Sequence, residues 1–434
     1  MEPLSLALSG IAVLVLLLLL THIPVGVAMG LVGFLGVVCL NGLKPALGML
    51  GTEFWNIFSS YGLTVIPLFI LMGQICFYSG VNERLYSSAN AWMGHIRGGL
   101  AMATVLACAG FAAICGSNTA TAATMSTVAL PQMRKYKYHP ILSTGSVAAG
   151  STLGVVIPPS VVLIIYGLQT SQSIGKLFWA SVIPGLLLML LMLLTVVLLC
   201  HFRPQWGPAG PRATLSQRLR SLPGSLEMIV LFGLVMGGLF AGIFTPTEAG
   251  AAGSAISLLL SLFSGRLSWN KFRMAVADTL KVSCMIMVII AGAVIFGRFL
   301  AMSRLPYAVA ELAGTSGLPP ALLLWLIFGV YVIGGMIMDA LALLIVTIPI
   351  FYPAVMAMGY DPVWFGVAIT VITAMGAVTP AVGVSTFIVS SMAQDVPMSQ
   401  VFVGVSWFMI SYVVCVALLL IFPDLVLWLP QFMG

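Results

Sequence analysis

Cys115-Gly116-Ser117-Asn118-Thr119-Ala120-Thr121-Ala122-Ala123 interrupts an apolar stretch that runs from residue 99 to residue 133. A bilayer is crossed by about 20 apolar residues, so the stretch is too long for one helix. Ser, Asn and Thr are helix N-cap types, and the Gly and Ala around them permit close packing. One half-helix therefore ends here and another starts. The ending half presents unpaired carbonyls that suit a cation; the starting half presents N–H groups and a positive dipole end that suit a carboxylate.

The surrounding chain explains why such a break sits in lipid. Its 434 residues are 61% hydrophobic and only 6% charged, against about 25% charged in soluble domains. Soluble enzymes and nucleic-acid binders are excluded, and the formal charge of +6 belongs to loop ends. The seven Cys show no CxxC or Cys/His spacing, so they read as unpaired thiols. After Met1-Glu2-Pro3 the chain runs apolar to Leu20 without a basic n-region, which predicts a retained span rather than a signal peptide. Ten clear spans are expected, near residues 4–21, 24–41, 61–79, 141–168, 178–200, 224–243, 248–264, 282–301, 363–390 and 402–422, with two over-long stretches at 99–133 and 321–353.

The two over-long stretches belong to an internal repeat. An offset of 222 places Pro24 on Pro246, Pro131 on Pro353, Tyr138 on Tyr360, Pro140 on Pro362, Gly154 on Gly376 and Pro158 on Pro380 without a gap. Proline costs about 3 kcal/mol inside a helix and is not scattered freely. The division is residues 1–202 as first repeat, 203–223 as a cytoplasmic linker and 224–434 as second repeat. Charge makes the repeats inverted: the loop Arg134 to His139 carries three full positive charges, while Met356 to Asp361 carries none and ends in an acid. Short cytoplasmic loops collect Lys and Arg. Arg203, Arg212, Arg218 and Arg220 put the linker inside, both termini fall outside, and Lys176 and Asp395 are the exceptions. The stretch 80–98 and those at 44–59 and 266–281, with their Trp residues, suit interfacial arm helices.

On this topology 99–133 is a re-entrant hairpin dipping in from the cytoplasm and 321–353 its mate from the opposite face. The mate tip, Gly334-Gly335-Met336-Ile337-Met338-Asp339-Ala340, places Asp339 at the repeat position of Ser117. An acid at mid-membrane costs about 2.5–3.5 kcal/mol on insertion scales, so it needs Na⁺, H⁺ or a capping role. Each hairpin is followed by a broken helix, at Gly150 to Ser160 within 141–168 and at Gly376 to Ser385 within 363–390. Bare backbone in hydrocarbon is tolerated where it lines a cavity, so the four breaks predict one binding site.

The run from Gly116 to Gly167, with its Ser/Thr/Ala tip, Pro131, Arg134 and Gly150 to Pro159, resembles the large membrane subunit of tripartite ATP-independent periplasmic (TRAP) transporters, the DctM-like family. Thr245-Pro246-Thr247-Glu248-Ala249, Met338-Asp339, Gly359 to Pro362 and Thr379-Pro380 agree in the second half. The resemblance implies an all-α polytopic membrane protein of inverted-repeat, elevator type in a bacterial inner membrane, with two Na⁺ sites. Carried over by residue, the first Na⁺ site takes Ser117, Asn118 and Gly154, and the second Gly335, Asp339, Gly376 and Thr379. Ser117, Asn118, Thr119, Pro158 and Pro380 are the expected substrate contacts. It also implies a small four-helix membrane subunit, a periplasmic substrate-binding protein, and uptake of an organic acid anion such as a C4-dicarboxylate or sialic acid. The Ser-Asn-Thr tip departs toward the related divalent-anion/Na⁺ symporters of the same fold, which leaves a stand-alone symporter as the alternative. No organic cofactor is implied.

Plainer readings stand beside these. Ser117 to Thr119 also fit plain caps at a kink and Asp339 a cap alone, readings the repeat mate and the flanking charges weigh against, while Pro158, Pro159 and Pro380 fit kinks without ligand contact as well as they fit a site. No Ser/His, paired-Asp or His/Glu metal constellation lies in the spans, so an enzyme is not expected. No GxxxxGK[ST] loop is present, which removes ATP as a direct drive.

Overall fold

The structure, a computed structural model, describes residues 3–21, 23–315, 317–379 and 383–432. Among these residues it is helical without strands, and nine helices are long and apolar enough to cross a bilayer. The chain is a multi-pass membrane protein.

The first over-long stretch is two helices, Gly99–Cys115 and Asn118–Lys135, joined by Gly116 and Ser117. Gly116 adopts φ +59°, a left-handed conformation that only glycine takes without strain. Its absent side chain also leaves room for Pro159 O, which would lie 2.6 Å from a Cβ there. The second stretch is Pro320–Ile337 and Ala340–Ala357, turning at Met338 and Asp339.

The offset read from the prolines recurs in the helix bounds. Adding 222 to Asn118–Lys135 gives 340 and 357, the bounds of Ala340–Ala357; adding it to Gly99–Cys115 gives 321 and 337, within one residue of Pro320–Ile337. Contacts recur in the same way. The helix Val161–Thr170, beyond the first break, packs on Ala340–Ala357, and Val384–Met392, beyond the second break, packs on Asn118–Lys135. Each hairpin is thus held by the broken helix of the other half.

A second body of helices surrounds these. Val25–Asn41 packs along Trp269–Met302, and Val65–Tyr78 along Pro246–Phe263. Small residues set the spacing: a Cβ on Gly26 would lie 2.6 Å from Val288 O, and one on Gly33 would lie 2.6 Å from Phe296 Cα. In lipid, where helices gain little from hiding apolar surface from each other, this close backbone approach is the main adhesive.

Two expectations need correction. Residues 266–281 do not form a separate surface arm; they are the first half of Trp269–Met302, a helix of 34 residues and about 50 Å in length. No Gly or Pro separates 281 from 282, so nothing stops the helix when it leaves the hydrocarbon. The first-half mate is broken, into Leu43–Phe58 and Val65–Tyr78, at Ser59 to Thr64. The linker is also shorter than 203–223. Thr214 and Gln217 close a capping box that starts the helix Leu215–Phe240, leaving 203–214 as connection. That connection is pinned down: Gly98 N–H donates to Gly207 O, His139 N–H to Trp206 O and Gly210 N–H to Gly94 O.

Candidate functional site: two hairpin tips facing one cavity

Ser117 is the N-cap of Asn118–Lys135, its hydroxyl accepting from the Ala120 N–H at 3.4 Å. Its backbone carbonyl accepts the Thr121 hydroxyl at 2.7 Å, and its own Oγ lies 3.1 Å from Thr119 Oγ1. Asn118 is 3% exposed. Its Oδ1 accepts from the Thr119 N–H at 2.8 Å, but its amide nitrogen is buried without a partner. An unpaired buried donor costs about 1–3 kcal/mol, which a water or a solute group in the adjoining space would relieve.

Gly154 stands against this tip. A Cβ on it would lie 2.7 Å from Ser117 O and 3.1 Å from Asn118 N, so the broken helix meets the tip backbone to backbone. The helix there unwinds after Val156, and Ser160 restarts it, accepting from the Leu163 N–H at 3.4 Å and donating to Val155 O at 2.6 Å. The second half has the same plan. A Cβ on Gly335 would lie 3.0 Å from Gly376 Cα. Asp339 caps Ala340–Ala357, accepting from the Leu341 N–H at 3.2 Å. Thr379 follows the end of Pro362–Gly376, donating to Met375 O at 2.8 Å. Pro380 lies outside the described residues.

The two tips line one cavity of about 870 Å³. Ser117, Asn118, Thr119 and Asp339 are in its wall; Pro158, Gly154, Gly335, Gly376 and Thr379 are not, although Gly154 abuts the first tip and Gly376 abuts Gly335. Thus Ser117, Asn118 and Gly154 are brought together, and Gly335 and Gly376 are brought together. The opposite wall was not foreseen from sequence. It comes from Pro24 to Val27, from Ile70 to Phe77 with Gln74, and from Asp278 to Ile289 on the long helix. A Gln inside the apolar run Val65–Tyr78 was the available signal, whereas Asp278 was hidden by assigning its segment to the surface.

The wall uses particular helix ends. Asp278 and Val282 lie nearer the Trp269 end of their helix, Ile286 to Ile289 just past its middle, and Gly73, Gln74 and Phe77 nearer Tyr78. That end carries Arg84 and Arg266, both paired to Glu227 at 2.5 and 2.8 Å. No group of three or more His, Cys, Asp or Glu able to hold a metal occurs among the described residues. What the cavity offers is hydroxyls, the amides of Gln74 and Asn118, the carboxylates of Asp278 and Asp339, and helix ends. Carbonyl ends and neutral oxygens suit a weakly held monovalent cation, and the N-termini at Ser117 and Asp339 suit an anionic group.

Paired helical hairpins whose tips meet at a shared cavity inside a multi-pass helical membrane protein define a solute transporter of the hairpin type. Over residues 12–425 the chain matches the family model described as "Tripartite ATP-independent periplasmic transporter, DctM component", and it belongs to that family. It is 34% identical to a C4-dicarboxylate TRAP transporter large permease protein from Pseudomonas aeruginosa, covering 94% of each chain. It is 30% identical to a sialic acid TRAP transporter large permease protein from Vibrio cholerae, covering 96% of this chain and 97% of that one. The fold is similar to the Alcanivorax borkumensis YdaH transporter, with a TM-score of 0.60 at 16% identity over 98% of each chain.

Proposed function

We propose that this large permease takes up a small organic acid anion, driven by Na⁺ bound behind the two hairpin tips. The observation that carries the reading is the shared cavity with the orphaned Asn118 amide in its wall. A cation at the carbonyl ends of the tips, reached by Ser117, Asn118 and Gly154 on one side and by Gly335, Asp339, Gly376 and Thr379 on the other, raises the local potential enough for a carboxylate to enter. The Thr119 hydroxyl and the unpaired Asn118 side-chain nitrogen then donate to the carboxylate. Each Na⁺ entering down about 100 mV contributes roughly 2.3 kcal/mol, and two offset the cost of moving an anion against the potential.

The two bodies of helices give an elevator its parts: hairpins and broken helices as the moving unit, and the glycine-packed pair Val25–Asn41 and Trp269–Met302 as the scaffold. The halves are inverted repeats on this reading. Arg134 pairs with Asp395, which explains an acid on the face that the Lys and Arg assign to the cytoplasm. On that assignment the termini lie outside, and kinship with TRAP permeases supports a bacterial inner membrane. Kinship with two TRAP permeases supports a periplasmic binding protein and a small membrane subunit as partners. The Ser-Asn-Thr tip is the one feature that favours a symporter acting alone.

The test is uptake by proteoliposomes holding the complete system. Radiolabelled C4-dicarboxylate or sialic acid should enter only with external Na⁺ and a binding protein. Uptake that persists when choline replaces Na⁺ would end the Na⁺ reading, and uptake without any partner would favour the stand-alone symporter.

A further inference from the structure

Asp278 has no part in the tip chemistry, yet its carboxylate lies in the cavity wall. Val282, Met285 and Ile289 follow it at helical spacing and line the same cavity, so Asp278 is on the face turned toward the solute path. It is held there by the Tyr78 hydroxyl, which donates to Oδ2 at 2.5 Å. Lys281 is 3.8 Å away, but its side chain is 79% exposed and compensates little. Among the described residues lining the cavity there is no Lys or Arg, and the only other acid is Asp339 at the second tip. Ten residues further along, the helix that carries Asp278 meets Gly26 of Val25–Asn41 at backbone contact. The position equivalent to Asp278 in the first half, 222 residues earlier, is Asn56, which is neutral.

We propose that Asp278 is a fixed negative gate in the wall of the solute cavity, lowering the local concentration of an anionic solute beside it and raising that of a cation. It rests on the reading of the cavity as the path of an anionic solute.

Cys284, exposed and in the same wall, is a built-in reporter of the potential that Asp278 sets. In full-length protein in lipid nanodiscs at low salt, with Cys39 replaced by Ser, its modification rates by cationic trimethylammonioethyl and anionic sulfonatoethyl methanethiosulfonate are compared by mass spectrometry. A unit charge six residues along a helix, about 9 Å away, should change the cation-to-anion rate ratio about fivefold in water-like dielectric. Asp278→Asn, which keeps an acceptor for Tyr78, should lower the ratio by that factor, and Asp278→Glu should restore it. A ratio indifferent to Asp278→Asn overturns the gate but leaves the transport reading standing. A Cys284 that reacts with neither reagent removes the water-filled path, and with it the proposed function as well.

Discussion

Gly154→Ala probes the junction on which the first ion site depends. The new Cβ would lie 2.7 Å from Ser117 O, 2.8 Å from Ser117 C and 3.1 Å from Asn118 N. All three are backbone atoms of the tip, so no side chain can swing away. Relief to an ordinary contact requires the tip and the broken helix to part by about 0.7 Å, and overpacking of this kind costs about 1–3 kcal/mol. Without Na⁺ the tip can yield; with Na⁺ bound it must return to the tight geometry, so the cost falls on the ion-bound form. At 1.4 kcal/mol per tenfold, Na⁺ affinity should drop by about five- to 150-fold. The assay is the rise in melting temperature of purified protein on titration with NaCl, ionic strength being held with KCl. Gly329→Ala is the control: nothing lies within 4 Å of a Cβ there, and the Na⁺ response should not change. An unaltered Na⁺ midpoint in Gly154→Ala would refute the placing of an ion at this junction.

Three further outcomes follow from single contacts. Asn118→Ala removes one short-range hydrogen bond and an amide that has no partner; apo stability should fall by about 1 kcal/mol or less, while Na⁺- and solute-dependent stabilisation is lost. Equal loss in both states, read by scanning fluorimetry, would make it a cap and nothing more. Asp339→Asn keeps an acceptor for the Leu341 N–H but removes the charge, so folding should persist while one ion-dependent transition disappears from the NaCl titration. His139, stacked on Trp206 with Arg203 over the same ring, is held below its ordinary pKa by burial and then by Arg203. The folded form resists the proton that the unfolded form takes up, so the linker clamp is fully stable above about pH 6.5 and weakens as pH falls below it. Amide exchange at Gly98 and His139, corrected for intrinsic rates, should speed up on acidification in wild type and not in His139→Asn.

The hairpins and breaks were legible because their signals are local. Gly116-Ser117-Asn118 is a stop followed by a start, Met338-Asp339 is a cap inside lipid, and the proline register relates the halves; the observed helices Gly99–Cys115 and Ala340–Ala357 end where these residues demand. The scaffold wall was less legible. Lys271, Arg273 and Lys281 gave 266–281 the look of a surface segment, but charge says only that a helix has left the hydrocarbon, not that it has ended. Its continuation through Val282 needs no residue to announce it, so Asp278 and Cys284 went unassigned. The depth of Gln74 in the cavity depends on which helices lie opposite, information that exists only once Pro246–Phe263 and Trp269–Met302 are packed against Val65–Tyr78.

Equilibrium binding of radioactive sodium to the purified protein tests the central claim most directly. The account predicts saturable binding in two components, one abolished by Asn118→Ala or weakened by Gly154→Ala, the other abolished by Asp339→Asn. Absent saturable binding, or two components untouched by all three substitutions, would contradict it.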